Sequence, residues 1–255
     1  MTHSDPARPS IASLPDATNV DVTTIAGSVA AIIVAAGRGQ RFGAEENKVL
    51  LPLAGVPIWV RAVNALKANA AIGRIVLVVR GCDRPELEAQ ATSLGICVVE
   101  GGEQRYDSVR AGLNWLTQIN DLSPFIAVHD AARPLVTAAD IDAVTKAAAE
   151  HGAAILATRV RGTIKRECIG GKSIMTVDRR NLWEALTPQV FSASVLRAAY
   201  DRHRGRPATD DAELVERTGT PVCLVPGSAE NLKITQPEDL PIAEAIFSRR
   251  MNNDV

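Results

Sequence analysis

Aromatic side chains are scarce in this chain: four Phe, three Trp and two Tyr, 4% of 255 residues. Trp59, Trp115, Trp183 and Tyr106 are too scattered to build a stacking platform for nucleic-acid bases, and they read as core or rim residues. An excess charge of either sign is also missing. The formal net charge is −1, so no basic field points to DNA, RNA or anionic lipid, and any anion site must be a local cluster of Arg and Lys. The four cysteines, Cys82, Cys97, Cys168 and Cys223, show no CxxC or Cys/His ligand spacing. A reducing, cytoplasmic compartment without a disulfide framework is expected. Cys97 and Cys223 lie inside apolar runs and read as small buried hydrophobes. No apolar run approaches the roughly 20 residues that cross a bilayer. The first 28 residues lack the basic start and long apolar core of a secretory signal. Neither a nucleic-acid partner nor a membrane is expected. An arrangement of His, Ser or Cys suited to nucleophilic catalysis is missing as well.

What is present suits one α/β domain, with 46% apolar and 22% charged residues. Residues 1–28 carry three prolines and little periodicity, and read as a mobile extension. From Val29 to the end, residues 29–255, a single domain is expected. Continuous apolar runs at 29–36, 74–79, 96–100, 124–130 and 153–160 read as strands buried on both faces. Helical patterns open at Pro57 and Pro85 and cover 104–118 and 138–150. This alternation predicts a mostly parallel sheet with helices on both faces. The rhythm breaks at 163–179, where two extended segments flank Gly170-Gly171. A protruding β-hairpin arm over 162–180 is predicted, whose apolar edge (Ile164, Ile169, Ile174, Met175, Val177) invites pairing with a second copy of the chain. Beyond it, 221–227 and 231–235 read as strands. Pro237 opens a final helix with a stripe of Leu240, Ile242, Ala243 and Ile246.

The chemistry gathers around residues 30–48, AAIIVAAGRGQRFGAEENK. A buried strand running into glycines lets backbone N–H groups approach an anion, and Arg41 and Lys48 add positive charge. Phe42 stands where a dinucleotide fingerprint, after Gly37 and Gly39, would need its third glycine, and no G-K-S/T follows. The loop is read as a holder of a nucleoside triphosphate. In HDAARP, 129–134, Asp130 ends a strand at the edge where open α/β sheets bind ligands. It suits Mg²⁺ held against phosphate oxygens, or else caps a turn or pairs with Arg133. His129 reads as structural. Arg105 and Ser108 open the helix after Gly101-Gly102. Lys233 is either a solvated edge charge or a neutraliser of charge developing on phosphate.

These motifs, in this order, resemble the 2-C-methyl-D-erythritol 4-phosphate cytidylyltransferases. The matching pieces are AAGRGQRFG…NK, GGEQRYDSVRAGL, VHDAARP, T-I-K then T-V-D-R, LWEALTPQVF, TDDAELVE and NLKITQPEDL, together spanning about residues 31–245. The resemblance implies a Rossmann-like nucleotidyltransferase sheet, a homodimer through the arm, and Mg²⁺-dependent transfer of CMP from CTP to a polyol phosphate. It implies catalytic contacts from Arg41, Lys48 and Lys233, and nucleotide contacts from Ala35, Ala36, Gly37, Gly39, Gly102, Glu103 and Ser108. It also implies acceptor contacts from Asp130, Arg133, Thr163, Arg179 and Thr187, with Asp130 as metal ligand. Asp210 matches a further motif position. Glu103 stands where the family pattern has Asp, and Asn47 precedes Lys48 where proline is usual. A cytidylyltransferase for ribitol 5-phosphate, another polyol- or sugar-phosphate nucleotidyltransferase, and a nucleotide-binding protein without turnover are the competing readings.

Overall fold

A computed structural model describes residues 25–37, 47–168 and 173–253. Most of the expected extension, Gly39, Arg41, Ile169 and the Gly170-Gly171 turn lie outside the described residues.

The first strand, β1 (Val29–Val34), feeds alternate residues to opposite faces. Val29, Ala31 and Ile33 join one buried cluster, and Ala30 and Ile32 join another. The short β2 (Pro52–Leu53) and β3 (Val56–Pro57) pair with each other and lead into α1 (Ile58–Lys67), which is followed by β4 (Ile72–Val79), α2 (Arg84–Ser93) and β5 (Cys97–Glu100). Then come α3 (Arg105–Gln118), β6 (Phe125–Asp130), α4 (Ala138–His151) and β7 (Ala153–Arg159). The arm is β8 (Ile164–Glu167) with β9 (Ile174–Val177). The chain returns through β10 (Trp183–Ser192), α5 (Ala193–Arg202), α6 (Asp211–Glu216), β11 (Cys223–Pro226) and α7 (Asp239–Asn253).

Seven strands form one sheet in the order β11-β7-β10-β6-β1-β4-β5, and only β10 runs against the rest. The cluster on one face takes Trp59 and Leu66 from α1, Leu87 from α2, and Ile141 and Val144 from α4. The opposite face takes Val109 and Leu113 from α3, Leu196 and Tyr200 from α5, and Leu214 from α6. Helix α3 lies close to β1 because residue 112 is glycine, where a Cβ would sit 2.7 Å from Ile32 Cγ2. Helix α4 starts on Thr137, whose hydroxyl accepts from Asp140 N at 3.1 Å, and stops at Gly152 with φ of 80°.

The doubly covered, mostly parallel sheet and the hairpin agree with the sequence. Among the described residues, strands β8 and β9 pair only with each other, from Ile164 opposite Val177 to Glu167 opposite Ile174. Three local expectations are corrected. Cys97 is exposed and Cys223 half-buried, because β5 and β11 are the two edges of the sheet. Residues 231–235 form no strand: this segment crosses the ends of the strands, bonding Ile234 N to Ala132 O at 2.9 Å. Ile242 is exposed on α7, while Ala243 joins Leu53, Ile58, Leu135 and Ile234 in a third buried cluster.

Candidate functional site

At the carboxyl edge of β1 and β6 lies a cleft of about 320 Å³. It forms where open α/β sheets leave a crevice between strands with helices on opposite faces. Strand β1 ends at Val34, so Ala35, Ala36 and Gly37 are free to line one wall. The facing wall is the β5–α3 connection, with Gly102 and Glu103, and the first turn of α3, with Arg105 and Ser108. Lys48, Asp130 and Lys233 complete it.

The β5–α3 wall depends on two glycines. A Cβ at Gly101 would lie 2.6 Å from Ser108 Oγ, and one at Gly102 2.3 Å from Asp107 Cβ. Ser108 is buried, and its hydroxyl donates to Gly102 O at 3.4 Å and Gln104 O at 3.3 Å. It therefore shapes this wall as well as lining it.

Asp130 is paired with Val34 in the β1–β6 register, which sets its carboxylate at the cleft floor. Its Oδ2 accepts from Lys233 Nζ at 2.7 Å and its Oδ1 from Arg105 Nε at 3.3 Å. Arg105 Nη1 in turn donates to Asp211 Oδ2 at 2.6 Å, and Asp211 Oδ1 accepts from the Tyr200 hydroxyl. Charges thus alternate from the cleft lysine to a wholly buried carboxylate at the start of α6. Burial disfavours the ionised Asp130, but Arg105 and Lys233 outweigh it and hold its carboxyl far below the ordinary range. Burial likewise disfavours the Arg105 cation, and Asp211 and Asp130 reverse the sign, so the guanidinium is more firmly protonated than usual.

Beneath Asp130 lies a neutral network. His129 is fully buried, and burial lowers its pKa to about 4. With Nε2–H donating to Arg133 O at 3.1 Å, Nδ1 is left to accept from the Thr187 hydroxyl at 3.0 Å. Thr187 Oγ1 accepts from Asp130 N at 3.1 Å. His129 and Thr187 therefore fix the end of β6, and the structural reading of His129 holds.

The structure brings Ala35, Ala36, Gly37, Lys48, Gly102, Glu103, Ser108, Asp130 and Lys233 to one cleft. Other expected site residues stand elsewhere. Arg133 does not ion-pair with Asp130; its guanidinium is buried and donates to Asn231 O at 2.7 Å and Ala185 O at 3.4 Å, anchoring the 231–235 segment. Thr187 acts through the Asp130 backbone. Thr163 and Arg179 are exposed at the base of the arm, where Arg179 donates to Arg161 O. Gly39 and Arg41 fall outside the described residues. Asp210 caps α6, accepting from Glu213 N at 2.9 Å and from Gln189 Nε2 at 2.9 Å.

Sequence reasoning passed over Asp211 and Tyr200 and left Arg105 without a role. The acidic pair in TDDAELVE was the available signal, since two adjacent carboxylates at a helix start leave one beyond the cap. As to metal, no group of three or more His, Cys, Asp or Glu side chains suited to an ion occurs among the described residues. Asp130 is one ionised carboxylate, which matches the way Mg²⁺ is held when substrate phosphates supply most of its ligands.

Residues 29–249 match the family model described as "IspD: 2-C-methyl-D-erythritol 4-phosphate cytidylyltransferase". A 2-C-methyl-D-erythritol 4-phosphate cytidylyltransferase of Rhodopirellula baltica is 48% identical over 235 residues, covering 88% of this chain and 96% of that protein. One of Pelotomaculum thermopropionicum is 42% identical, covering 87% and 95%. The crystal structure of 4-diphosphocytidyl-2C-methyl-D-erythritol synthase from Anaerococcus prevotii superposes with a TM-score of 0.74 at 26% identity, covering 86% of this chain and 98% of that one. A lysine-lined cleft at the carboxyl edge of the sheet and a match across nearly the whole folded chain lead to one conclusion: this chain belongs to the IspD family of 2-C-methyl-D-erythritol 4-phosphate cytidylyltransferases.

Proposed function

We propose that the cleft binds CTP, its cytidine against Ala35–Gly37 and the Gly102–Ser108 wall and its triphosphate toward Lys48 and Lys233. The protein transfers CMP from CTP to 2-C-methyl-D-erythritol 4-phosphate, releasing pyrophosphate and giving 4-diphosphocytidyl-2-C-methyl-D-erythritol, a step of non-mevalonate isoprenoid biosynthesis. The observation that carries the site assignment is the meeting of Lys48, Lys233 and the clamped Asp130 in one cleft. The nucleophile is a phosphate oxygen, and a phosphate monoester with a second pKa of about 6 is already ionised at neutral pH. No general base is required of the protein. Its task is to align acceptor oxygen and α-phosphate and to stabilise the charge that develops there. Lys48 and Lys233 do this, with Arg41 assigned to the same role from its motif. Ala35 to Gly37 and Gly102 offer close backbone approach, and Ser108 keeps their opposing wall in place.

Mg²⁺ is the metal that fits. Asp130 would hold it, and when bound with CTP it would withdraw charge from the phosphate oxygens. Thr163 and Arg179 are assigned to the acceptor phosphate bound by a second copy, because in their own chain they lie on the arm and not among the residues that line the cleft. That assignment makes the protein a homodimer through β8 and β9, supported by the exposed Ile174 and Met175. Work in the cytoplasm is supported by free thiols at all four cysteines and by the absence, among the described residues, of any helix long and apolar enough to cross a membrane.

Pyrophosphate release, measured with each of CTP, UTP, ATP and dTTP against methylerythritol phosphate and ribitol 5-phosphate, tests the reading. Turnover is expected with CTP and methylerythritol phosphate. Preference for another pair would transfer the site to that chemistry, and binding of CTP without release would make it a binding site alone.

A further inference from the structure

Asn47 directly precedes Lys48, a lysine of the cleft. It is 1% exposed, and its side chain bonds two other segments as well as its own turn. Nδ2 donates to Ala35 O at 3.0 Å, on the loop leaving β1, and to Asp83 Oδ2 at 2.7 Å, in the turn before α2. Oδ1 accepts from Val49 N at 3.4 Å and so caps the single 3₁₀ turn of Lys48–Leu50. Both partners of Nδ2 can only accept, which fixes the orientation of the amide. Asp83 is itself held by Arg80, through Nε and Nη2, each at 2.7 Å. Burial pushes the Asp83 carboxyl up, and the hydrogen bonds from Arg80 and Asn47 more than reverse this, so it stays an ionised acceptor.

The backbone at Asn47 has φ of −72° and ψ of 115°. That φ lies inside the narrow range a proline ring enforces. Proline would hold this φ covalently, but it has no side-chain donor for Ala35 O or Asp83. Asparagine leaves φ free in principle and instead ties the residue to two other segments.

We propose that Asn47 is a positioning residue for the nucleotide cleft: its amide links Lys48 to the Ala35 loop, both of which line the cleft, with Asp83 and Arg80 as the anchor behind it. The inference rests on the reading that Lys48 and the Ala35 loop face CTP. A displacement of about 1 Å at a reacting group can cost on the order of 10²-fold in rate, so a tie that sets Lys48 against the Ala35 loop acts on catalysis without touching substrate. Residues that handle the acceptor are not part of the tie. The consequence is a split, with CTP parameters changing and the KM for methylerythritol phosphate staying constant.

The test compares the intact protein with Asn47→Ala, Asn47→Pro and Asp83→Ala, and with Asn47→Pro combined with Asp83→Ala. Steady-state kinetics are measured well below each variant's melting temperature, together with amide hydrogen exchange of Val49 to Leu51. Asn47→Ala is expected to lower kcat/KM for CTP by about 10- to 100-fold, with the KM for the acceptor within about twofold, and to speed exchange at Val49 to Leu51. Asn47→Pro is expected to lose less than Asn47→Ala. Asp83→Ala is expected to lower kcat/KM for CTP in the Asn47 protein and to have no further effect on it once residue 47 is proline, since the link it anchors is then gone. The inference is overturned if Asn47→Ala only lowers the melting temperature and leaves CTP parameters unchanged, or if Asp83→Ala costs the same in both backgrounds. Exchange keeps the two readings separable. Faster exchange in Asn47→Ala, together with a parent protein that does not turn over CTP, refutes the nucleotide reading. Unchanged exchange and unchanged CTP parameters in an active protein refute the tie.

Discussion

Lys233, Asp130, Arg105, Asp211 and Tyr200 form a line in which each charged group is set by the next. The cleft end is half-exposed and the far end is wholly buried, so substitutions along it should divide between catalysis and stability. Lys233→Ala removes a partly exposed cation and leaves Asp130 still paired with Arg105. We expect kcat to fall by about 10²–10³, the scale for one preorganised charge contact, with the thermal midpoint nearly unchanged. Near-normal turnover would remove Lys233 from the catalytic set. Asp211→Asn does the opposite, at a wholly buried position, by leaving the half-buried Arg105 guanidinium short of its nearest counter-charge. Breaking such a pair from one side typically costs about 3–5 kcal/mol, to be read by urea unfolding, and a loss under about 1 kcal/mol would contradict the geometry. At this scale the sequence was only partly legible. Lys233 and Asp130 stood out because each sits in a recognisable motif. The Arg105–Asp211 contact joins residues 106 positions apart, and nothing local to either marks the other as its partner.

At the scale of elements, the parallel strands could be read because burial on both faces writes continuous apolar runs such as VAAIIV and IVLVV. Edge position is not written in that way. Strands β5 and β11 are apolar too, yet they close the two sides of the sheet, and so Cys97 and Cys223 are not buried. Nor did the sequence reveal that β10 would run antiparallel between β6 and β7, bringing Thr187 against Asp130 N. The arm was legible because two extended segments flank Gly170-Gly171 and are too polar to occupy the centre of a sheet. Ile174 is 67% and Met175 51% exposed on β9, an apolar edge that calls for cover. Ile174 is not among the residues that line the cleft, and Ile174→Asp should shift the proposed dimer to monomer in sedimentation velocity at micromolar concentration. It should also lower turnover, since Thr163 and Arg179 are assigned to a neighbour's site. An unchanged dimer would place the interface elsewhere.

For the whole molecule, buried ionisable groups at the end of β6 link stability to pH. His129 has a pKa of about 4 in the fold against an ordinary 6.5, so between these values the unfolded chain binds a proton that the folded protein refuses. Unfolding free energy therefore rises with pH across roughly 4 to 6.5, by at most about 3–4 kcal/mol from this group. Below about 4 the clamped Asp130 adds a further loss, as the unfolded chain takes up its proton first. Urea titrations from pH 4 to 7 should show this slope, and His129→Gln should flatten it. A slope unchanged in that variant would assign the effect to other groups. The central claim, that this lysine-lined cleft joins CMP to the acceptor's phosphate, is tested most directly by ³¹P NMR of the intact protein with CTP, 2-C-methyl-D-erythritol 4-phosphate and Mg²⁺. The account predicts that the acceptor's monoester signal is replaced by a coupled pair of diphosphate resonances, with pyrophosphate appearing in equal amount. Unchanged substrates, or pyrophosphate formed without the new diphosphate, would contradict it.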